Sequence, residues 1–314
     1  MIHEGIDKIA NFFKTSKNFD SAHDLSMPVL KELVEDKDFL FDIVRKNLSN
    51  PEYLKKTRHY PTLAMEVFKN DIVDMVINIF PSLPDKRTDI SFQSIHHHGS
   101  LKLSTVGLSG SGYSSFIFKN GYQIDKETNE TNLELETFYS NKKGQYTFCD
   151  AYVPHVVFYP TQMSSTLVLW SKQNPSSMNS LKALFPRSFS KSVGPVLNKL
   201  GLRKALDLNV AEYHDFYPEN GKFYALKDRI GYPEGSNENF IQNVFYYLQT
   251  IGFDDFDFLR NLVNNEQTSA VEKKWIEKYC SKETIKEKFE EIHYNIDPRV
   301  NNNLGEIKSA FESH

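Results

Sequence analysis

Three consecutive histidines, His96, His97 and His98, sit inside the run SFQSIHHHGSLKLSTVGLSGSGY, residues 91–113. The run reads as β-strand, is internal, and has apolar neighbours, so it is no terminal expression tag. Successive side chains of a strand point to opposite faces. On that reading His96 and His98 share one face, while His97, Ile95 and Gly99 share the other. Two imidazoles at i and i+2 on an inward face can bind one metal ion side by side, and imidazole suits iron, zinc, copper and nickel. A third ligand has to come from elsewhere in the sheet.

The best candidate is His155 in CDAYVPHVVFY, which opens another strand-like run just after Pro154. His59, His214 and His293 lie in less strand-like surroundings, and His3, His23 and His314 near the termini or in exposed-looking segments. The spacing equally fits an exposed strand with no partner, and His155 an ordinary core histidine.

The period of two extends well beyond the histidines. Between 90 and 171, YSSFIFK, LELETFY, GQYTFCDAYV, HVVFY and TLVLW are short and rich in β-branched and aromatic residues. They are separated by SGSG, KNG, SNKKG and YPTQMSS. Short strands at such spacing predict an antiparallel sandwich or barrel. Residues 1–80 read mostly as helix, from LKELVEDKDFLFDIVRKNL and from PTLAMEVFKNDIVDMVINIF with Pro61 at a helix start. Residues 238–263 and 269–293 also read as helix, and 176–210 as a basic, apolar stretch with a solvated face. The expected fold class is α+β: an antiparallel barrel flanked by N- and C-terminal helical segments. The expected division is 1–85, a helical segment packing on the barrel; 86–175, the barrel core; and 176–314, a mainly helical region.

The chain has 314 residues, enough to bury a sizeable core, and its formal charge of −4 gives no general pull toward nucleic acid or an anionic membrane. Cys149 and Cys280 form no C-x-x-C motif, so no disulfide framework is expected and a cytoplasmic location fits. No apolar run approaches membrane-spanning length and the N-terminus lacks a signal-peptide core. GLSGSGY lies between strands with no helix after it and reads as a hairpin turn, so no phosphate loop or dinucleotide fingerprint is present.

At Ser94, Ile95, His96, His97 and His98 the sequence resembles the S-I-H-x-H strand of the cupin superfamily, in particular cysteine dioxygenase-like proteins. His155, the turn PTQMSS and TLVLWS are similar to the second motif of that family. The resemblance covers about 80 residues. It implies that His96, His98 and His155 hold one ferrous ion, Fe(II), as in the three-histidine branch, because Ser100 to Leu103 offer no glutamate. It implies an oxygenase or oxidase acting with O2 on a small thiol, amino acid or related metabolite, with homo-oligomerisation left open.

The sequence also departs from that family. Leu103 stands where the family often has a cysteine, and Thr166, Val168 and Trp170 stand where it has serine, histidine and tyrosine. The family's relay and its cysteine–tyrosine crosslink are therefore not expected, and Trp170 suggests a bulkier or less polar substrate. Arg58 is the first candidate for holding a substrate carboxylate, with Arg87 second. Tyr159, Tyr60 and Tyr113 are candidate donors to substrate or oxygen. Two other readings remain: a barrel using zinc, nickel or manganese for non-redox chemistry, and a non-enzymatic ligand-binding cupin.

Overall fold

In the computed structural model, residues 3–56, 62–172, 215–227, 235–290, 299 and 301–312 are described. Twelve strands and seven helices are assigned among them. The helices are α1 (Glu4–Thr15), α2 (Phe19–Glu35), α3 (Lys37–Leu48), α4 (Asn237–Thr250), α5 (Phe256–Val263), α6 (Ala270–Cys280) and α7 (Leu304–Glu312). The strands fall into two antiparallel sheets. The first joins β1 (Leu63–Lys69), β2 (Val73–Phe80), β10 (Ser164–Lys172), β4 (Leu101–Ser109) and β8 (Tyr146–Cys149), in that order. The second runs β6 (Glu130–Thr131), β12 (Lys222–Leu226), β11 (Asp215–Glu219), β3 (Ile95–His96), β9 (His155–Val157), β5 (Ser114–Phe118) and β7 (Leu135–Ser140). The pairing thus defines two sheets, with β1 and β8 at the edges of one and β6 and β7 at the edges of the other.

Each sheet buries its outer face in its own core. Met75, Ile77 and Ile79 of β2, with Leu167 and Leu169 of β10, pack against Leu30 and Val34 of α2 and Phe245 and Leu248 of α4. On the other sheet Ile95, Phe116, Phe118, Val156, Phe158, Phe216 and Phe223 pack against Ile307 and Ala310 of α7. Strand alternation then turns the intervening residues inward, toward the space between the sheets. At about 25 cal/mol per Å² of apolar surface, a buried Leu or Phe contributes roughly 1.5–3 kcal/mol, so these outer cores anchor the inward residues.

Three sequence expectations are corrected here. Residues 63–80 form the β1–β2 hairpin, not a helix. Burial does alternate along β1 and β2, but Ala64, Phe68, Val76 and Phe80 put apolar residues at the intervening positions and blur the period in the sequence. The helical pattern of 30–48 is also two helices: Asp36 ends α2 and caps α3, accepting from the Asp38 and Phe39 amides at 2.9 and 3.0 Å. The continuous strand expected through the histidines is broken as well. β3 ends at His96, Gly99 takes φ +63°, and β4 begins at Leu101. That conformation is cheap only for glycine. Residues 215–226, unassigned from sequence, form the β11–β12 hairpin, and Asp215 and Phe216 of β11 pair with His96 and Ile95.

Candidate metal centre

The inner faces of the two sheets enclose a cavity of about 290 Å³. Asn78, Leu103, Thr105, Cys149, Thr166, Val168 and Trp170 line it from the first sheet, and His155 and Val157 from the second. Gln93 and His98 complete the wall beside His155. Among the described residues, the lining contains no Asp, Glu, Lys or Arg.

His96, His98 and His155 come together at this wall, each offering one nitrogen, with all three atoms within 4.8 Å of one another. Antiparallel pairing of β3 with β9 sets His96 opposite His155. Their ring centroids lie 4.4 Å apart; His98 closes the triangle at 4.7 Å from His96 and 4.8 Å from His155. His98 reaches it from just past the strand end, through the turn that Gly99 permits. His96 and His155 are 2% and 6% exposed, and His98 is half-buried.

The same local device fixes two of the rings. His96 Nδ1 lies 2.9 Å from the Ser94 carbonyl oxygen, and His155 Nδ1 lies 3.2 Å from that of Val153, in each case two residues back. A carbonyl only accepts, so each Nδ1 carries the proton and each Nε2 is left with a lone pair. A backbone carbonyl on the outer nitrogen is the usual orienting contact of a metal-binding histidine. Burial pushes His155 down to about 4, keeping it neutral near pH 7. His98 Nε2 stands 3.0 Å from His155 Nε2. Two ligands at about 2.1 Å from one ion and about 90° apart are separated by about 3.0 Å. The donor set thus fits a divalent transition ion.

His97 goes elsewhere, as its opposite face requires. It is 1% exposed, lies against Tyr152 and Phe216, and accepts the Gly99 amide at 2.8 Å. Trp170 stands edge-on to His98, ring centroids 4.4 Å apart, on the same inward face of β10 as Thr166 and Val168. Tyr159 does not line the cavity. It lies one layer away, packed on Phe92 at 4.6 Å. Tyr113 does line it, its hydroxyl accepting from Asn141 at 3.0 Å, and burial pushes that phenol upward. Arg87 pairs with Asp89 at 2.9 Å and is not among the cavity-lining residues. Arg58, His59, Tyr60, His214, His293 and the basic stretch from Lys182 to Arg203 and Lys204 lie outside the described residues.

Among the cavity residues that sequence reasoning missed, two touch the histidines. Cys149 is the cross-strand partner of Leu103 and its Sγ lies 3.5 Å from His155 Nδ1, with burial pushing the thiol up to about 12. Its place six residues before His155 was the only sequence signal. Gln93, three residues before His96, brings its side-chain amide to 2.8 Å from His96 Nε2.

No family model matches the chain, and no curated protein matches it. Among solved structures it is similar to the DMSP lyase DddQ of Ruegeria pomeroyi, at 12% identity over 37% of this chain and 49% of that one, with a TM-score of 0.26. The chain therefore spans about half the length of that protein. It is similar to a cupin superfamily protein of Desulfitobacterium hafniense at 11% identity, over 37% of this chain and 82% of the other, with a TM-score of 0.24. It is similar to the Cnp3 cupin domain of Schizosaccharomyces pombe at 7% identity, over 42% of this chain and 76% of the other, with a TM-score of 0.27.

Proposed function

We propose that this protein is a cupin-type non-haem iron oxygenase or oxidase, with one Fe(II) held by His96, His98 and His155. The observation that carries this reading is the pair of carbonyl-anchored rings. His155 brings its Nε2 to 3.0 Å from His98 Nε2, and the three histidines each offer a nitrogen within 4.8 Å of the others beside an uncharged cavity. Ferrous iron on three neutral imidazoles supplies redox chemistry with O2 that no protein side chain offers.

The residues of the chain do the rest. Ser94 and Val153 carbonyls hold the ring planes, and Trp170 packs against His98. Val157, Val168, Leu103 and Trp170 keep the cavity apolar, while Asn78, Thr105, Tyr113 and Thr166 offer hydrogen bonds that orient a substrate. A volume of about 290 Å³ lies at the small end of ligand sites, which run to roughly 300–1,000 Å³. The substrate is accordingly a small metabolite. Free cysteine is a poor one, because the described lining has no cation for a carboxylate and presents Leu103, Val168 and Trp170 instead of reactive groups. In this reading the working core reaches beyond 86–175, since Asn78 and Phe80 of β2 also line the cavity.

The test is metal analysis of untagged protein, followed by oxygen uptake by the ferrous form over thiols, amino acids and related acids. One iron per chain with substrate-dependent uptake is expected. Zinc, nickel or manganese with no uptake would favour non-redox chemistry on the same histidines. No metal at all would favour a ligand-binding protein.

A further inference from the structure

We propose that Gln93 is a fourth, neutral protein ligand at this centre, so that the site keeps the ion's full double charge and accepts small anions. The inference rests on the three-histidine reading above. It begins from one contact. The Gln93 Nε2 amide group lies 2.8 Å from His96 Nε2 and donates to it, since that nitrogen is the one left with a lone pair once Nδ1 binds the Ser94 carbonyl. The amide therefore occupies the side of His96 that a metal ion would use. Separations of 2.8 Å for this pair and 3.0 Å for His98 and His155 both match neighbouring ligands of one ion, at about 2.1 Å and about 90°.

Gln93 is also held in place. Its neighbours are both buried and both tied down: the Phe92 amide donates to the Val157 carbonyl at 2.5 Å, and Ser94 Oγ donates to Asp215 at 2.5 Å. Phe92 packs behind Phe80 and on Tyr159, and is not among the residues that line the cavity with Gln93. With its flanks fixed, the glutamine backbone is held beside the cavity that its side chain lines. Oxygen and nitrogen of a side-chain amide exchange places by rotation about the terminal bond. Turned so, Oε1 faces the ion and the NH2 group faces the cavity, where it can donate to a bound molecule.

The charge consequence follows from composition. Three imidazoles and an amide contribute no charge, and the described cavity lining carries none. A divalent ion would be the dominant positive field in a partly desolvated space. Such a site favours small monoanions, whether carboxylate, thiolate or enolate, over neutral analogues.

Cobalt(II) titration of the full chain tests this, read by visible absorption and by competition with a chromophoric chelator, with azide then added as a probe anion. Gln93→Ala and the similarly sized Gln93→Met should each weaken cobalt binding about tenfold and change the cobalt spectrum. Gln93→Glu should bind cobalt at least about tenfold more tightly, yet weaken azide at least about tenfold by adding a negative ligand. Circular dichroism and thermal unfolding of the metal-free proteins report folding, and Gln93→Met keeps the test available if the alanine variant is unstable. Wild-type spectra and affinities in both Gln93→Met and Gln93→Glu, with cobalt still bound by the histidines, would overturn the Gln93 assignment alone. Failure of the wild-type protein to bind cobalt would overturn the three-histidine reading itself, and this inference with it.

Discussion

Two buried histidines on opposite sides of the five-stranded sheet behave differently. His23 of α2 lies on the outer face of the five-stranded sheet, and His155 projects into the cavity on the inner side. Both are held down to about 4, with burial the main cause. Their surroundings diverge beyond that. His23 has both nitrogens occupied by hydroxyls, Ser104 at 2.7 Å and Ser171 at 2.9 Å, and Phe13 and Phe148 pack on its ring. His155 has one nitrogen tied to a backbone carbonyl and the other facing a second imidazole. Burial and a depressed pKa therefore do not mark a ligand. An oriented lone pair that meets others does.

The largest effect that sharpens this contrast is on metal binding. Replacing His155 or His96 by Ala should abolish binding, a loss beyond the about 100-fold typical of removing an outer-shell partner. His23→Ala should leave metal affinity at the wild-type value in the same chelator competition. Loss of metal in His23→Ala, with the protein folded, would break the comparison.

The next effects are on stability, and they belong to His23. His23→Ala removes a packed ring and takes a partner from two buried hydroxyls, of which Ser104 keeps Tyr146 at 2.8 Å, and should cost about 3 kcal/mol in urea unfolding. A pH effect accompanies it. In the unfolded chain His23 takes up its proton below about pH 6.5, and in the folded protein only below about 4. Its contribution is therefore fully present above pH 6.5 and is lost as pH falls toward 4, by about 3 kcal/mol. Desolvation is the main cause, Lys102 adds to it, and Asp20 and Asp150 oppose it. His23→Gln, which can still bond both serines, should reduce the difference between unfolding at pH 7.5 and pH 4.5 by about 3 kcal/mol and leave the part that His155 contributes. An unchanged slope would show that His23 is not the group responsible.

The smallest effects concern the neighbours of the triad. His97→Ala should lower metal affinity no more than about tenfold, as for an outer-shell partner, because its ring lies on the far face against Phe216. Trp170→Phe should speed metal removal by a chelator several-fold, roughly three to ten, since Trp170 shields the half-buried His98. Equal losses at His96, His97 and His98 would contradict the face assignment.

The legible part of the fold and site is the part in which spacing decides geometry. His155 opens a later strand, and Thr166, Val168 and Trp170 alternate into the same cavity; each follows from a period of two. His96 and His98 do meet, but His98 lies past the end of β3 and not on one continuous strand with His96. The strands from 101 to 172 were readable because turn residues separate them. The 63–80 hairpin was not, since Ala64, Phe68, Val76 and Phe80 put apolar residues at the intervening positions of its strands. Tyr159 shares a parity with His155 but lies beyond the cavity, behind Phe92. Gln93 and Cys149 have no periodic signal, and nearness in sequence to His96 and His155 is all that marks them. Gln93 reaches His96 through a loop, and Cys149 faces Leu103 only because β8 pairs with β4.

The most direct test of the central claim is X-ray absorption or anomalous diffraction on metal-loaded protein. One ion per chain is expected, bonded to His96, His98 and His155 at about 2.0–2.2 Å, with His23 and His97 uncoordinated. An ion held by His97 or His23, or none after loading, would contradict the account.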